Sequence, residues 1–186
     1  MKRLFLTIKI TPDDGFLDQL HLVQNQLTHE KIKWVEEHNI HITLKFFGET
    51  EEAKIPLITQ ILQEIAAGTS GFSFSLKKLG VFGSSYDPRV VWAGIEPFAE
   101  IASLMNIIRN NMGAAGFEAD RQNVVPHLTL GRIKLLKDKS LFQKVMDQNR
   151  EISSVEMVVD RYILFESILK KEGPVYVALQ SFRLRT

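Results

Sequence analysis

The hydrophobic positions change their period several times along the chain, and each change marks an element. Residues 3–10 are rich in β-branched and aromatic side chains and predict a first strand. Thr11-Pro12-Asp13-Asp14 is a turn that caps a helix, along which Phe16, Leu20, Val23 and Leu27 keep the spacing of one face. Ile32 and Trp34 mark a short strand, and residues 40–47 a clearer one that Gly48 ends. Residues 49–52 open the next helix, with acids where the dipole favours them, and Ile55, Ile58, Leu62 and Ile65 form its apolar face. Strands are expected at 72–82 and 89–95, a helix at 97–112 on Ile101, Leu104, Met105 and Ile108, and a strand at 124–133. A fourth helix at 138–149 uses Leu141, Phe142 and Val145, and strands at 154–168 and 174–184 close the chain. Strands are adjacent too often for a pure βαβ chain. The order therefore predicts an α+β fold of mostly antiparallel sheets with helices outside. Without linkers or low-complexity tracts, residues 1–186 read as a single domain.

Composition narrows the classes. Hydrophobic residues make up 45% and charged residues 24%, an ordinary globular balance. Twenty-three basic against 22 acidic residues leave a net charge of +1, which argues against a protein that coats duplex nucleic acid by bulk charge. With no cysteine, disulfide and thiol chemistry are excluded. No apolar run approaches the ~18 residues of a membrane span. The apolar start is broken by Thr7 and Lys9 with no small-residue cleavage site after it, so it reads as a strand rather than a leader. The expectation is a cytoplasmic protein with no membrane contact and no obligate protein partner.

The chemistry lies in a repeated motif. His41-Ile42-Thr43-Leu44 and His127-Leu128-Thr129-Leu130 both read His-x-Thr-Leu inside expected strands, 86 residues apart, and use two of only five histidines. Side chains at i and i+2 share a face of a strand, so each half presents an imidazole beside a hydroxyl while the leucines pack behind. If the halves are related by a pseudo-twofold, the two pairs face each other across a cleft. Opposed imidazoles suit a phosphodiester: one takes a proton from water while the other protonates the departing oxygen, each step worth roughly 10²–10⁴-fold. The threonine hydroxyls can donate to the non-bridging oxygens as charge builds there. No metal or cofactor is needed. Zinc catalysis usually wants three protein ligands, and the chain offers two well-placed histidines and no His-x-Glu-type helix motif.

These residues resemble the 2H phosphoesterases, and within them the bacterial RNA 2′,3′-cyclic phosphodiesterases, formerly called 2′-5′ RNA ligases. Arg3-Leu4-Phe5 is similar to the family's opening strand, Trp34 sits seven residues before His41, and residues 41–48 resemble the first signature. Val91-Trp92 resembles the middle strand, and Pro126 through Arg132 the second signature, with Gly131 where Ala is common. Phe165-Glu166-Ser167 and Gly173-Pro174-Val175-Tyr176 resemble the C-terminal strand pair. The resemblance implies two intertwined lobes with the active-site cleft between them. It implies hydrolysis of an RNA terminal 2′,3′-cyclic phosphate to a 2′-phosphomonoester, with His41 as proton donor, His127 as proton acceptor, and Thr43 and Thr129 on the phosphate. It also implies 2′-5′ ligation as the reverse reaction in some members.

Four further residues are candidate substrate contacts. Arg132 follows the second motif and reaches the His127 face only if Gly131 marks a bulge. Lys45 has the parity of His41 and Thr43, and Trp34 and Tyr176 are placed to stack on a base. Phe46 and Phe47 differ in parity, so one of them faces the cleft. His21 and His29 read as solvated, and the odd separation of His38 from His41 predicts that these two do not converge. Competing readings are a catalytically silent RNA-end-binding module, a metallohydrolase, and a related phosphoesterase acting on a cyclic or 2′-5′-linked nucleotide.

Overall fold

The computed structural model describes residues 1–84, 86–117, 125–170 and 173–186. Nine strands form two antiparallel sheets. The first has the order β3(His41–Thr50), β1(Lys2–Lys9), β8(Arg161–Leu169), β9(Pro174–Arg183). The second has the order β2(Lys31–Trp34), β6(Leu128–Leu135), β5(Pro88–Glu96), β4(Phe72–Gly83), β7(Met157–Val159). Leaving β2 aside, each sheet begins with a strand that carries, or directly follows, one motif histidine. In both sheets its first neighbour, β1 or β5, is joined to it through a helix. The chain passes between the sheets more than once: β2 lies in the second sheet although it falls between β1 and β3 in sequence, and the last two strands complete the first.

The helices sit outside. α1(Asp14–Gln26) packs on α4(Lys139–Gln148), while α2(Ile55–Gly68) packs on α3(Ala99–Ala114) and both touch the first sheet. Each begins or packs as its sequence dictates. Asp13 caps α1, its carboxylate accepting the Phe16 amide at 3.0 Å, and Asp138 caps α4 through the Leu141 amide at 2.8 Å. Phe16, Leu20, Val23 and Leu27 are all buried, as the spacing predicts. On α4 the buried face is Phe142, Val145 and Met146, and Leu141 lies toward solvent. One continuous apolar cluster joins both sheets to the helices.

Three expected boundaries differ. Gly48 does not end β3, and Glu49 and Thr50 continue the ladder opposite Arg3 and Lys2. The glycine, at φ +70, is a kink inside the strand, and α2 starts only at Ile55. The expected strand at 154–168 is two strands in different sheets: β7 pairs with β4, and β8 with β1 and β9. The chain changes sheets at Asp160, a step that local hydrophobicity does not record. The strand expected from 124 begins at Leu128, residue 124 lying outside the described residues.

Both motif strands carry a β-bulge at the same place. In β3, Thr43 opposes Thr7 and Lys45 opposes Leu6, so Leu44 has no partner of its own. In β6, Thr129 opposes Trp92 and Gly131 opposes Val91, so Leu130 is the extra residue. The leucine of each His-x-Thr-Leu is thus the bulged residue, buried in the core, and beyond it the facing of the strand inverts. Gly131 is needed just past the second bulge. A methyl there would meet the Trp34 ring at 2.8 Å and Ile32 at 3.0 Å. Gly131→Ala is therefore expected to cost about 1–3 kcal/mol through overpacking, read as a lower urea midpoint with an unchanged slope.

Candidate active site

His41 opens β3 and His127 immediately precedes β6, so two separate sheets deliver the two imidazoles. Both line one cavity of about 280 Å³, together with Thr43, Thr129, Arg132 and Tyr176. The rings are held alike. His41 Nδ1 lies 2.6 Å from the Asn39 carbonyl, and His127 Nδ1 lies 2.7 Å from the Val125 carbonyl. A carbonyl only accepts, so each Nδ1 carries a proton and donates it, and each Nε2 is the free nitrogen. Aromatic rings pack around both: Phe5 and Tyr176 beside His41 at 5.3 and 5.6 Å between centroids, and Phe82 beside His127 at 4.7 Å.

This surround sets the electrostatics. Burial holds both imidazoles below the ordinary histidine value of 6.5; the carbonyl bonds pull them back up, and the Arg132 guanidinium pushes both down further. Burial raises the Tyr176 phenol, with Arg132 and Arg3 acting in the opposite direction. One arginine thus acts on both histidines and on Tyr176. Among the described residues, no group of three or more His, Cys, Asp and Glu is arranged to hold a metal ion, and no helix is long and apolar enough to cross a membrane. A larger cavity of about 430 Å³ lies between the β4 edge and α4, but its lining has no histidine.

A model of the 2′-5′ RNA ligase superfamily matches residues 13–168. The chain is 36% identical over 146 residues to the RNA 2′,3′-cyclic phosphodiesterase of Thermotoga maritima, covering 78% of this chain and 76% of that protein. It is 31% identical over 184 residues to the enzyme of the same name from Methanothermobacter thermautotrophicus, covering 98% of each. The chain belongs to the 2′-5′ RNA ligase superfamily. Among solved structures, its fold is similar to TT0787 of Thermus thermophilus, with a TM-score of 0.77 and 26% identity over 98% of both chains. It is also similar in fold to Escherichia coli LigT complexed with 3′-AMP, with a TM-score of 0.80 and 23% identity over 100% and 99% of the two chains. It thus shares the two-sheet α+β architecture of the 2H phosphoesterases.

The bulges decide which other residues of this 2H phosphoesterase reach the cavity. Arg132 reaches it because the bulge at Leu130 reverses the alternation, the condition that the sequence left open. The same reversal turns Lys45 away. It is 2% exposed, with its ammonium 5.5 Å from the Phe47 ring centroid, and it does not line the cavity. Phe46 takes the cavity position instead, and Phe47 packs against Phe117. Trp34 also lies elsewhere, half-buried over Gly131 against the core. Arg3 and Ser167 also line the cavity, although the sequence marked them only as parts of family-like strands and not as substrate contacts. Arg3 sits 5.1 Å from the Phe46 ring centroid, and strand alternation from Phe5 was the signal available for it. His38 departs from expectation as well. It lies in a 3₁₀ turn, Glu37–Asn39, rather than in a strand, so parity does not apply; it and His41 line a common hollow of about 240 Å³.

The pH dependence follows from the lowered pKa values. If one imidazole must be protonated and the other free, kcat/KM rises as the first limb titrates and falls through the second. Both groups titrate below 6.5, so the maximum should lie below pH 6.5. Arg132→Gln removes a charge that lowers both, so its profile should move to higher pH on both limbs, whatever its height. A profile of unchanged position, measured on a nucleoside 2′,3′-cyclic phosphate, would count against this coupling.

Proposed function

We propose that residues 1–186 act as one catalytic unit that hydrolyses the terminal 2′,3′-cyclic phosphate of RNA to a 2′-phosphomonoester, without a metal ion. The observation that carries this reading is the pair of imidazoles in one cavity, each fixed through Nδ1 with its Nε2 free, and each two residues from a threonine in the same cavity. Relatives spanning nearly the whole chain bear the name of that activity.

In the proposed reaction, His127 Nε2 takes a proton from water as the water oxygen bonds to phosphorus. The bond from phosphorus to O3′ breaks, and the His41 Nε2 proton passes to O3′. Charge builds on the non-bridging oxygens, where the hydroxyls of Thr43 and Thr129 and the Arg132 guanidinium are the available donors. For His41 to start as an imidazolium it must work against burial and Arg132, and the phosphate anion itself supplies the compensating charge. The expected ligation is not this hydrolysis reversed but the same displacement with an RNA 5′-hydroxyl in place of water: O5′ bonds to phosphorus, the bond to O3′ breaks, and a 2′-5′ linkage forms. Water near 55 M favours hydrolysis unless both ends are held. A cytoplasmic location goes with an RNA substrate.

His41→Ala and His127→Ala should each lower kcat/KM at least about 100-fold, with the far-ultraviolet circular dichroism unchanged. Hydrolysis of adenosine 2′,3′-cyclic phosphate in EDTA, followed by phosphorus NMR, should give the 2′-phosphate. Near wild-type turnover by both variants would sink the two-histidine mechanism. A 3′-phosphate product would reverse which oxygen leaves.

A further inference from the structure

The cavity of about 430 Å³ between the β4 edge and α4 shares no lining residue with the catalytic one. Its lining carries Lys78, Lys139 and Arg150 against a single carboxylate, Asp147, on a chain whose net charge is only +1. Lys139 donates to the Tyr86 carbonyl at 2.6 Å, and Asp147 accepts from the Gln143 amide at 3.0 Å. Lys78 shares the Glu96 carboxylate with Lys77, at 3.7 and 3.4 Å, so two ammonium groups face one exposed acid. Arg150 makes no ion pair among the described residues. Lys78 is also, among the described residues, the one position other than glycine in the left-handed region, at φ +60. It is the extra residue of a bulge, since Lys77 opposes Gly94 and Leu79 opposes Ala93. Glycine suits such a position, and a lysine there costs stability, so backbone strain marks the residue as held for another purpose. The bulge also brings Lys78 beside Arg150. The Lys78 amide donates to the Ile152 carbonyl at 3.0 Å, and the Leu79 amide to the Arg150 carbonyl at 2.8 Å.

The rest of the lining has a different character. Lys78 and Arg150 are exposed, whereas Leu79, Phe142 and Met146 are buried, and the half-buried Trp92 adds an aromatic wall. That wall is preformed: the indole stacks on Phe82 at 5.1 Å between centroids, and it lies over Gly80, where a methyl would collide with it. Exposed cations beside flat apolar walls call for a ligand with a phosphate at one end and a planar ring at the other. The volume lies in the range of roughly 300–1,000 Å³ typical of small-ligand sites. We propose that this cavity is a second ligand site that binds a nucleoside monophosphate, with the phosphate on Lys78 and Arg150 and the base against Trp92. The site is independent of the hydrolytic reading, because no residue of the catalytic cavity belongs to it.

The test uses adenosine 5′-monophosphate as the probe, on the full chain carrying Trp34→Phe, so that Trp92 is the one tryptophan left of two. The nucleotide should quench Trp92 fluorescence saturably. Inorganic phosphate alone and adenosine alone should each bind at least about 10-fold more weakly. Lys78→Gly and Arg150→Ala should each raise the dissociation constant of the nucleotide roughly 3–10-fold, while kcat/KM for adenosine 2′,3′-cyclic phosphate stays at the parent value. Lys78→Gly should also hold or raise the melting temperature, because it relieves the left-handed lysine, so its loss of binding is not a loss of fold. Arg132→Gln, which alters the catalytic cavity, should leave the titration unchanged. Three results would each overturn the site: neither quenching nor titration heat at millimolar nucleotide, inorganic phosphate binding as tightly as the nucleotide, or weakening by Arg132→Gln but not by Lys78→Gly and Arg150→Ala. None of them touches the two-histidine hydrolysis, which is read separately from turnover of the cyclic phosphate.

Discussion

Two backbone carbonyls, those of Asn39 and Val125, hold the arrangement together chemically. Each accepts the Nδ1 proton of the imidazole two residues further on. Without that bond the ring could rotate and exchange tautomers, and neither nitrogen would have an assigned role. With it, the nitrogen facing the cavity can hold or release a proton, and the other cannot. The bond is local, made by residues two apart in sequence, so it is built twice by two chain segments that enter different sheets. The packing of the whole fold is needed only to bring the two results together.

The burial that positions the rings also acts against one of them. Aromatic neighbours and Arg132 favour neutral imidazoles, which suits a base and hinders an acid. The two sites have the same environment in kind: a carbonyl on Nδ1, an aromatic wall, and the same arginine. In the proposed reaction, the difference between donor and acceptor therefore comes from where the substrate's oxygens sit relative to the pair. Under that proposal, an anionic substrate shifts the balance for both, and the side of phosphorus on which the ribose lies selects which ring starts protonated.

The leucine bulges are the other recurring device. Ordinary alternation would put Lys45 into the cavity and Arg132 outside it. One extra residue in each motif strand reverses both placements. The residues five beyond each histidine, Phe46 and Arg132, then become cavity residues, one apolar and one charged. This asymmetry on a duplicated frame lets a single arginine serve both histidines.

Much of this was legible from local pattern. The helix faces, the two His-x-Thr-Leu strands, the antiparallel α+β architecture and the sharing of a face by each histidine and its threonine all follow from periods of 3.6 and 2, which each segment carries in its own residues. The departures lie where a segment's role depends on its neighbour. Glu49 and Thr50 are strand because β1 pairs with them, residues 154–168 divide because their two halves find different sheets, and Lys45 turns inward because register with β1 slips at Leu44. Trp34 became a packing residue because Gly131 lies beneath it, and His38 reached the space beside His41 through a 3₁₀ turn. Residue order alone specified which chemical groups exist and which pairs share a strand face, because those are short-range properties of the backbone. Which groups meet, and from which side a substrate can reach them, was set by cross-strand register and by the crossing of chain segments between sheets, and these depend on contacts between residues distant in sequence.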